Sequence, residues 1–252
     1  FEKDVGLAPD SDLLGQLEPG NPGDRLGRAR YNPVPSGHIG REARLPYNLD
    51  SDMPILFKNV TAPELQSGLA ALDVSPRLAR RLQAAVLKRD AFPGGMDEVS
   101  PGLLESIRKA TRIPRLTALD KVVSSTDGFA KYLFRGEGPE PFESVAIPIL
   151  HRPGAEKIVV CVSSQVGCAL GCDFCATGKM GFVRNLRTWE MVDQVIRIAA
   201  DSPYPVKGVV FMGMGEPMLN YEAVVKAARI LSEPCGLAVS AKAISLSTAG
   251  IV

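Results

Sequence analysis

At 252 residues the chain has room for one large domain or two small ones, and an apolar content of 45% supplies an ordinary core. A formal net charge of +1 leaves the bulk balance silent on nucleic acid, and no apolar run approaches the ~18 residues that cross a bilayer. Five cysteines, three of them crowded into one loop, suit a reducing compartment where thiolates stay free for metal.

Residues 1–52 are rich in Gly, Pro and charge with little periodicity, and read as a flexible leader. No secretory signal pattern opens the chain, and it starts on Phe1 rather than Met, which leaves room for both ends to be cut. His38 in this stretch reads as a solvated polar residue, as does His151 in a predicted loop.

Residues 53–118 predict a small all-helical accessory domain. Thr61 and Glu64 form a capping box, after which Leu65, Leu69 and Leu72 fall on one face. Ser75-Pro76 opens a second helix, with proline at the first helical position and Leu78, Leu82 and Val86 inward. Ser100-Pro101 opens a third, with Leu104, Ile107 and Thr111 in line. The second helix carries Arg77, Arg80, Arg81, Lys88 and Arg89, with Lys109, Arg112 and Arg115 beyond it. The residues alone leave two readings open: a patch that neutralises RNA phosphates, or a solvated helix face.

Residues 119–156 read as a hairpin linker. Lys131–Arg135 and Glu143–Pro148 are β-like runs joined by Gly136–Pro139, with Pro148 expected to end the second strand. Residues 157–252 alternate strand, loop and helix. Ile158–Val162 is a continuous apolar strand, Thr188 is expected to cap a helix with Val192, Val195 or Ile196, and Ala199 inward, and Val209–Met212 is the next strand. Asn220 is expected to cap a helix with Val224, Ala227 and Leu231 inward, and Ala243–Ser247 is a third strand. Alternating β and α predicts a parallel sheet with its site beyond the C-terminal strand ends. The cysteine loop, Gly213–Glu216 and Ser247 then converge on one rim.

That loop places Cys168, Cys172 and Cys175 in C-x3-C-x2-C spacing, with Gly167 and Gly171 freeing the backbone to curl and Phe174 as an apolar cover. Three thiolates on a [4Fe–4S] cube, one to each of three irons, leave the fourth iron open to a small molecule. Zinc with Cys161 as fourth ligand is the rival, although zinc ligands usually come as two close couples. Cys235 reads as a plain small hydrophobe. Gly213–Glu216 reads either as a tight turn or as a backbone approach to a ligand, with Glu216 accepting bonds from a cation.

The spacing, with an aromatic before the last cysteine, resembles that of radical S-adenosylmethionine (SAM) enzymes. The longer string CVSSQVGCALGCDFCATG and the GF-x-RNL run from Gly181 to Leu186 resemble the RlmN/Cfr group. Those are adenosine methyltransferases acting on 23S ribosomal RNA and, for some members, transfer RNA. The likeness is dense from about Ser125 onward, looser from Leu56 to Ala118 and absent before. Val183 stands where the group usually has Asn.

The resemblance implies an α/β fold: the first strands of a radical SAM (βα)6 TIM-like barrel, preceded by a small hairpin and a helical RNA-binding domain. It implies a [4Fe–4S] cluster on Cys168, Cys172 and Cys175, and SAM held by Gly215, Glu216 and Ser247. It implies methylation of adenosine, at carbon 2 rather than 8, through a methylated cysteine. Glu143 would take the ring proton, and Cys161 would resolve the adduct by forming a disulfide. Without the resemblance, Glu143 reads as an exposed strand carboxylate and Cys161 as a buried strand thiol. The methylated cysteine has no counterpart before Val252, so the chain is expected to be the front part of a longer protein and catalytically incomplete. The resemblance further implies a cytoplasmic monomer, away from membranes, served by an electron donor such as flavodoxin. A different radical SAM enzyme and a non-enzymatic zinc-knot protein with an RNA-binding helical domain are the alternatives.

Overall fold

The computed structural model of the chain describes residues 53–150 and 153–251. The predicted leader, His38 and His151 lie outside them. The described part opens with β1 (Ile55–Leu56), α1 (Ala62–Gly68), α2 (Pro76–Arg89), α3 (Pro101–Ala110) and β2 (Thr111–Arg112). The helix starts follow local chemistry. Thr61 and Glu64 close their capping box, and the hydroxyls of Ser75 and Ser100 accept the N–H groups of Leu78 and Leu103, each at 3.2 Å. Asp90, left-handed at φ 50°, ends α2. Leu65, Leu69, Leu78, Leu82, Val86, Leu104 and Ile107 close around Phe57 as a core of their own. Leu72 falls in a short 3-10 turn and is only half-buried. The segment is not all-helical, because β1 and β2 pair in parallel and bring its two ends together.

The rest of the chain supplies β3 (Thr117–Val123), β4 (Ala130–Arg135), β5 (Pro141–Ile149), β6 (Lys157–Cys161), β7 (Gln165–Gly167), α4 (Ala176–Lys179) and β8 (Phe182–Asn185). It continues with α5 (Thr188–Asp201), β9 (Val206–Phe211), α6 (Tyr221–Ser232) and β10 (Ile244–Leu246). One six-stranded sheet runs β10-β9-β6-β5-β4-β3, and β7 pairs with β8 separately. β6, β9 and β10 are parallel, as expected, while β3 to β6 are antiparallel.

Several expectations need correction. The hairpin β4–β5 joins the same sheet as the parallel strands instead of standing apart from them. Pro148 does not end β5; it stays in register with Ile158 of β6. It lies past Ala146, the last residue paired with β4, so that side of the ladder asks for no N–H from it. Thr188 is the first helical residue of α5, not its cap, and its hydroxyl donates to Ala223 O at 3.2 Å. Asn220 does sit at the start of α6, but its side chain makes no cap bond there. The last strand begins at Ile244 rather than Ala243.

β3 is a strand that the sequence reading missed. Its seven residues are all exposed, so no alternation of apolar and polar side chains marks it. A bulge between Ala118 and Asp120 bends this edge strand, a common way of blunting an open edge.

The sheet is covered by helices on one face. Phe134, Phe142, Val160, Val209 and Phe211 belong to one buried core with Val192, Val195, Ile196, Val224, Ala227 and Leu231 of α5 and α6. Side chains alternate along a strand, so Leu133, Glu143, Val145, Val159, Cys161 and Val210 point the other way, and all are half-buried. β6 is therefore not buried on both faces, despite its unbroken apolar run.

Candidate functional site

The rim is built from the polypeptide that leaves the C-terminal ends of β6, β9 and β10. Val162 N–H donates to Val210 O at 2.8 Å, and Gly213 N–H returns to Val162 O at 3.2 Å. The N–H groups of Ser164 and Gln165 both donate to Met214 O. This contact is too close for side chains. A Cβ on Gly213 would stand 2.6 Å from Ser163 Oγ. Gly215, at φ +97°, would put one 2.5 Å from Gln165 Cβ.

Buried amides and a hydroxyl lock the arrangement. Gln165 Oε1 accepts Glu216 N–H at 2.9 Å, and its Nε2 donates to Asn185 Oδ1 at 2.7 Å. Ser163 Oγ accepts Met214 N–H at 2.8 Å and donates to Glu143 O. Gln194 of α5 closes both backbone groups of Ser163. Asn220 Nδ2 donates to Ser164 O and Leu186 O, each at 2.8 Å, which is why it does not cap α6. The sequence reading missed Ser163, Gln165, Asn185 and Gln194, and gave Asn220 a cap's role instead of this one. Their polar character at strand and helix ends was visible, but their partners lie 20 to 56 residues away.

Glu216 is 3% exposed. Burial works against its charge, but the N–H groups of Ala249 and Met218 and the Thr248 hydroxyl outweigh it and hold the carboxyl below its ordinary range. Oε1 accepts Met218 N–H and Oε2 accepts Ala249 N–H, each at 2.9 Å. Glu216 therefore serves the turn first, with three bonds on its two oxygens, and the carboxylate keeps one acceptor direction for a cation. Ser247 is exposed at the same rim, its N–H bonded to Phe211 O at 3.2 Å.

The cysteine loop is pinched at its neck by β7 and β8, with Gln165 opposite Asn185 and Val166 opposite Arg184. Gly167 (φ +71°) lies against Gly181 O, where a Cβ would stand at 1.8 Å. All five cysteines are free, so the disulfide expected from the resemblance is not formed within this chain. Cys168 is buried, and Cys172 and Cys175 are half-buried. The N–H of Gly178, then the N–H and hydroxyl of Thr177, draw the Cys175 thiol below its usual value against weak burial. Phe174 covers nothing: it is 93% exposed. Among the described residues, no three His, Cys, Asp or Glu side chains stand close enough to hold one metal ion. The three thiols thus share a loop without meeting at a point, and Cys161 does not complete a zinc site with them. As a donor set they still fit: three unpaired soft ligands on one closed loop suit iron–sulfur or zinc chemistry.

Glu143 and Cys161 are brought to one face. Val145 is opposite Cys161 across β5–β6, and Glu143 lies two residues along β5, so all three side chains point the same way. Glu143 Oε1 lies 2.9 Å from Lys131 Nζ. Burial raises the Cys161 thiol above its ordinary value, only partly offset by the N–H of Met212.

The basic residues of α2 divide. Arg77 and Arg81 lie 3.7 and 3.8 Å from Glu98. Arg81, Lys88 and Arg89 line a groove of about 380 Å³ together with Ala84, Ala85 and one acid, Asp97. Arg115 turns away to Asp90 at 2.8 Å.

Residues 162–252 match the radical SAM superfamily. The chain is 44% identical over 200 residues to a probable RNA methyltransferase of Myxococcus xanthus (strain DK1622), covering 78% of this chain and 54% of that protein. It is 42% identical over 207 residues to the dual-specificity RNA methyltransferase RlmN of Syntrophotalea carbinolica, covering 81% and 54%. The crystal structure of a radical SAM methyltransferase from Sphaerobacter thermophilus superposes with a TM-score of 0.66 at 36% identity, covering 79% of this chain and 58% of that one. The chain spans about half the length of the curated relatives it matches. A three-cysteine loop seated on the C-terminal ends of parallel strands agrees with these likenesses: residues 162–252 carry a radical SAM domain, and the chain is similar to RlmN-type RNA methyltransferases.

Proposed function

We propose that this chain supplies the cofactor-binding part of an RNA methyltransferase that modifies adenosine at ring carbon 2, in 23S ribosomal RNA, transfer RNA or both. In this reading Cys168, Cys172 and Cys175 hold a [4Fe–4S] cluster, and Gly215, Glu216 and Ser247 hold SAM. When bound, the cluster and SAM supply one-electron chemistry that no side chain provides. Gly215 gives the ligand access to the backbone, and the remaining acceptor direction of Glu216 meets its ammonium. Loading the cluster is expected to draw the three thiols together, because ligand binding and site assembly share one free energy.

Glu143 takes the adenine ring proton from the open face of the sheet. Cys161, kept as a thiol by burial, resolves the protein–RNA adduct: its sulfur loses its proton and bonds to the sulfur of the cysteine that carried the methyl group. The sulfur–carbon bond breaks, and the carbon keeps the electron pair and takes up a proton as the methyl on adenine. No residue of this chain is assigned as the methyl-carrying cysteine. Residues 53–118 form the RNA-binding domain, with the groove of Arg81, Lys88 and Arg89 taking backbone phosphates. Residues 119–156 link it to the front of the barrel at 157–252. An external donor such as flavodoxin supplies electrons, and the protein works as a cytoplasmic monomer. No described helix is long and apolar enough to cross a membrane.

One observation supports this reading above the others: the hydrogen-bonded path from Gln165, beside the cysteine loop, through Glu216 to Ala249 beyond β10. It ties three strand ends into one rim. The test is anaerobic reconstitution, followed by mass spectrometry of RNA from a knockout complemented with the whole gene. A brown protein and restored 2-methyladenosine are expected. A colourless zinc protein, or unmodified adenosine in the complemented cells, sinks the proposal.

A further inference from the structure

We propose that Lys131 is a positioning residue for Glu143, holding its carboxylate over the open face of the sheet. The inference rests on the reading of Glu143 as proton acceptor. In the β4–β5 register Leu133 is opposite Glu143 and Lys131 is opposite Val145. Lys131 and Glu143 are therefore diagonal neighbours on one face, within reach of a long side chain. The same face carries Cys161, opposite Val145 on the other side. Lys131, Val145, Cys161, Val210 and Ser245 thus form one row across five strands, and Glu143 stands one step nearer the rim.

The ion pair, at 2.9 Å, joins side chains that are 53% and 45% exposed. Exposed pairs contribute little to folding. The core lies on the opposite face, so the pair is not there to hold the sheet. Its effect is geometric. A glutamate on a strand rotates about three side-chain bonds, and a charge-assisted bond to a lysine rooted on the adjacent strand favours one arrangement. Lys131 gains no proton in the step: the adenine C–H proton goes to the Glu143 carboxylate, which becomes a carboxylic acid, and Lys131 keeps its own. Neutralising Glu143 weakens its hold on the ammonium and frees the acid to swing away and release the proton to water.

The test uses the whole protein with cofactors, as Lys131→Met, Lys131→Arg, Glu143→Gln and the double variant Lys131→Met/Glu143→Gln. Lys131→Met is expected to lower kcat about tenfold, the order of loss from a misplaced group, with iron content and RNA affinity unchanged. Lys131→Arg restores most of it, and Lys131→Met adds nothing in the Glu143→Gln background. A readout apart from turnover is the NMR rotamer coupling of labelled Glu143: one arrangement in wild type and Lys131→Arg, averaged in Lys131→Met. Unchanged coupling and kcat overturn the proposal. So does weaker RNA binding with a shallower salt dependence at unchanged kcat, which would make Lys131 a phosphate contact. If Glu143→Gln proves fully active, the proton-acceptor reading fails, while the coupling measurement still decides whether Lys131 orients Glu143.

Discussion

Lys58 and Asp193 form an ion pair at 2.5 Å with both side chains fully buried, 135 residues apart in sequence. Lys58 follows β1 in the helical segment, and Asp193 is on α5, under the sheet. Asp90 meets the same ammonium at 2.5 Å, and Asp193 also accepts Leu116 N–H at 2.6 Å. Buried charges are tolerated only when so enclosed. Replacing Lys58 by Met leaves Asp193 without its closest counter-charge in a dry site. The expected cost is about 3–5 kcal/mol, read from urea unfolding, and Lys58→Arg is expected to cost less. A loss below about 1 kcal/mol would show that water reaches the pair.

Iron content separates the cysteines. Cys168→Ser, Cys172→Ser and Cys175→Ser are each expected to lose most bound iron after reconstitution, because three ligands are the minimum for the proposed cluster. Cys161→Ser and Cys235→Ser are expected to keep it. Loss of metal in Cys161→Ser would instead revive a four-thiolate zinc site. Iron and zinc analysis of the five variants decides.

Gly215→Ala is expected to cost about 1–3 kcal/mol in stability, from a strained φ and a Cβ only 2.5 Å from Gln165 Cβ. It is also expected to weaken SAM binding more than tenfold, since the rim must open to accept the methyl group. Glu216→Gln trades one of two backbone acceptors for a donor facing an N–H, at about 1–3 kcal/mol. Thermal unfolding and calorimetric SAM titration measure both.

Acid should destabilise the fold through Asp90 in the helical segment and Asp201 beside the sheet. Burial opposes the charge on Asp90, but bonds from Lys58 and Arg115 outweigh it and hold the carboxyl below its ordinary 3.8. Asp201 is lowered too, by Lys121 and Tyr132. A carboxyl lowered in the folded state stabilises the fold fully above its unfolded pKa, and that contribution drains as pH falls through the folded one. Stability is therefore expected to hold from neutral to about pH 4 and fall below it. Asp90→Asn is expected to be less stable at pH 7, with the gap to wild type narrowing in acid. A gap independent of pH in unfolding curves would contradict this.

Helix starts were legible because a cap needs only residues three apart, as Thr61 and Glu64 or Ser75 and Leu78 show. The convergence of the cysteine loop, Gly213–Glu216 and Ser247 was legible because a parallel sheet places every such loop at the same end. The roles of Asn220 and Thr188 were misread, since a polar residue at a helix start suits a cap whether or not a distant carbonyl claims it first. Phe174 was misread for the complementary reason: an aromatic side chain does not announce whether anything lies against it.

By itself, then, the sequence determined the longer helices and the apolar strands, which loop carries the thiols, and which strand ends share a rim. Those features depend on spacing over a few residues and on the handedness of connections. Only the tertiary structure decided that the hairpin extends the parallel sheet, that Lys131, Glu143 and Cys161 share a face, that Gln165 joins three loops, and that Lys58 is buried between two aspartates. Each of these depends on register or on partners many residues away, and a strand moved by one position would turn every such side chain to the opposite face.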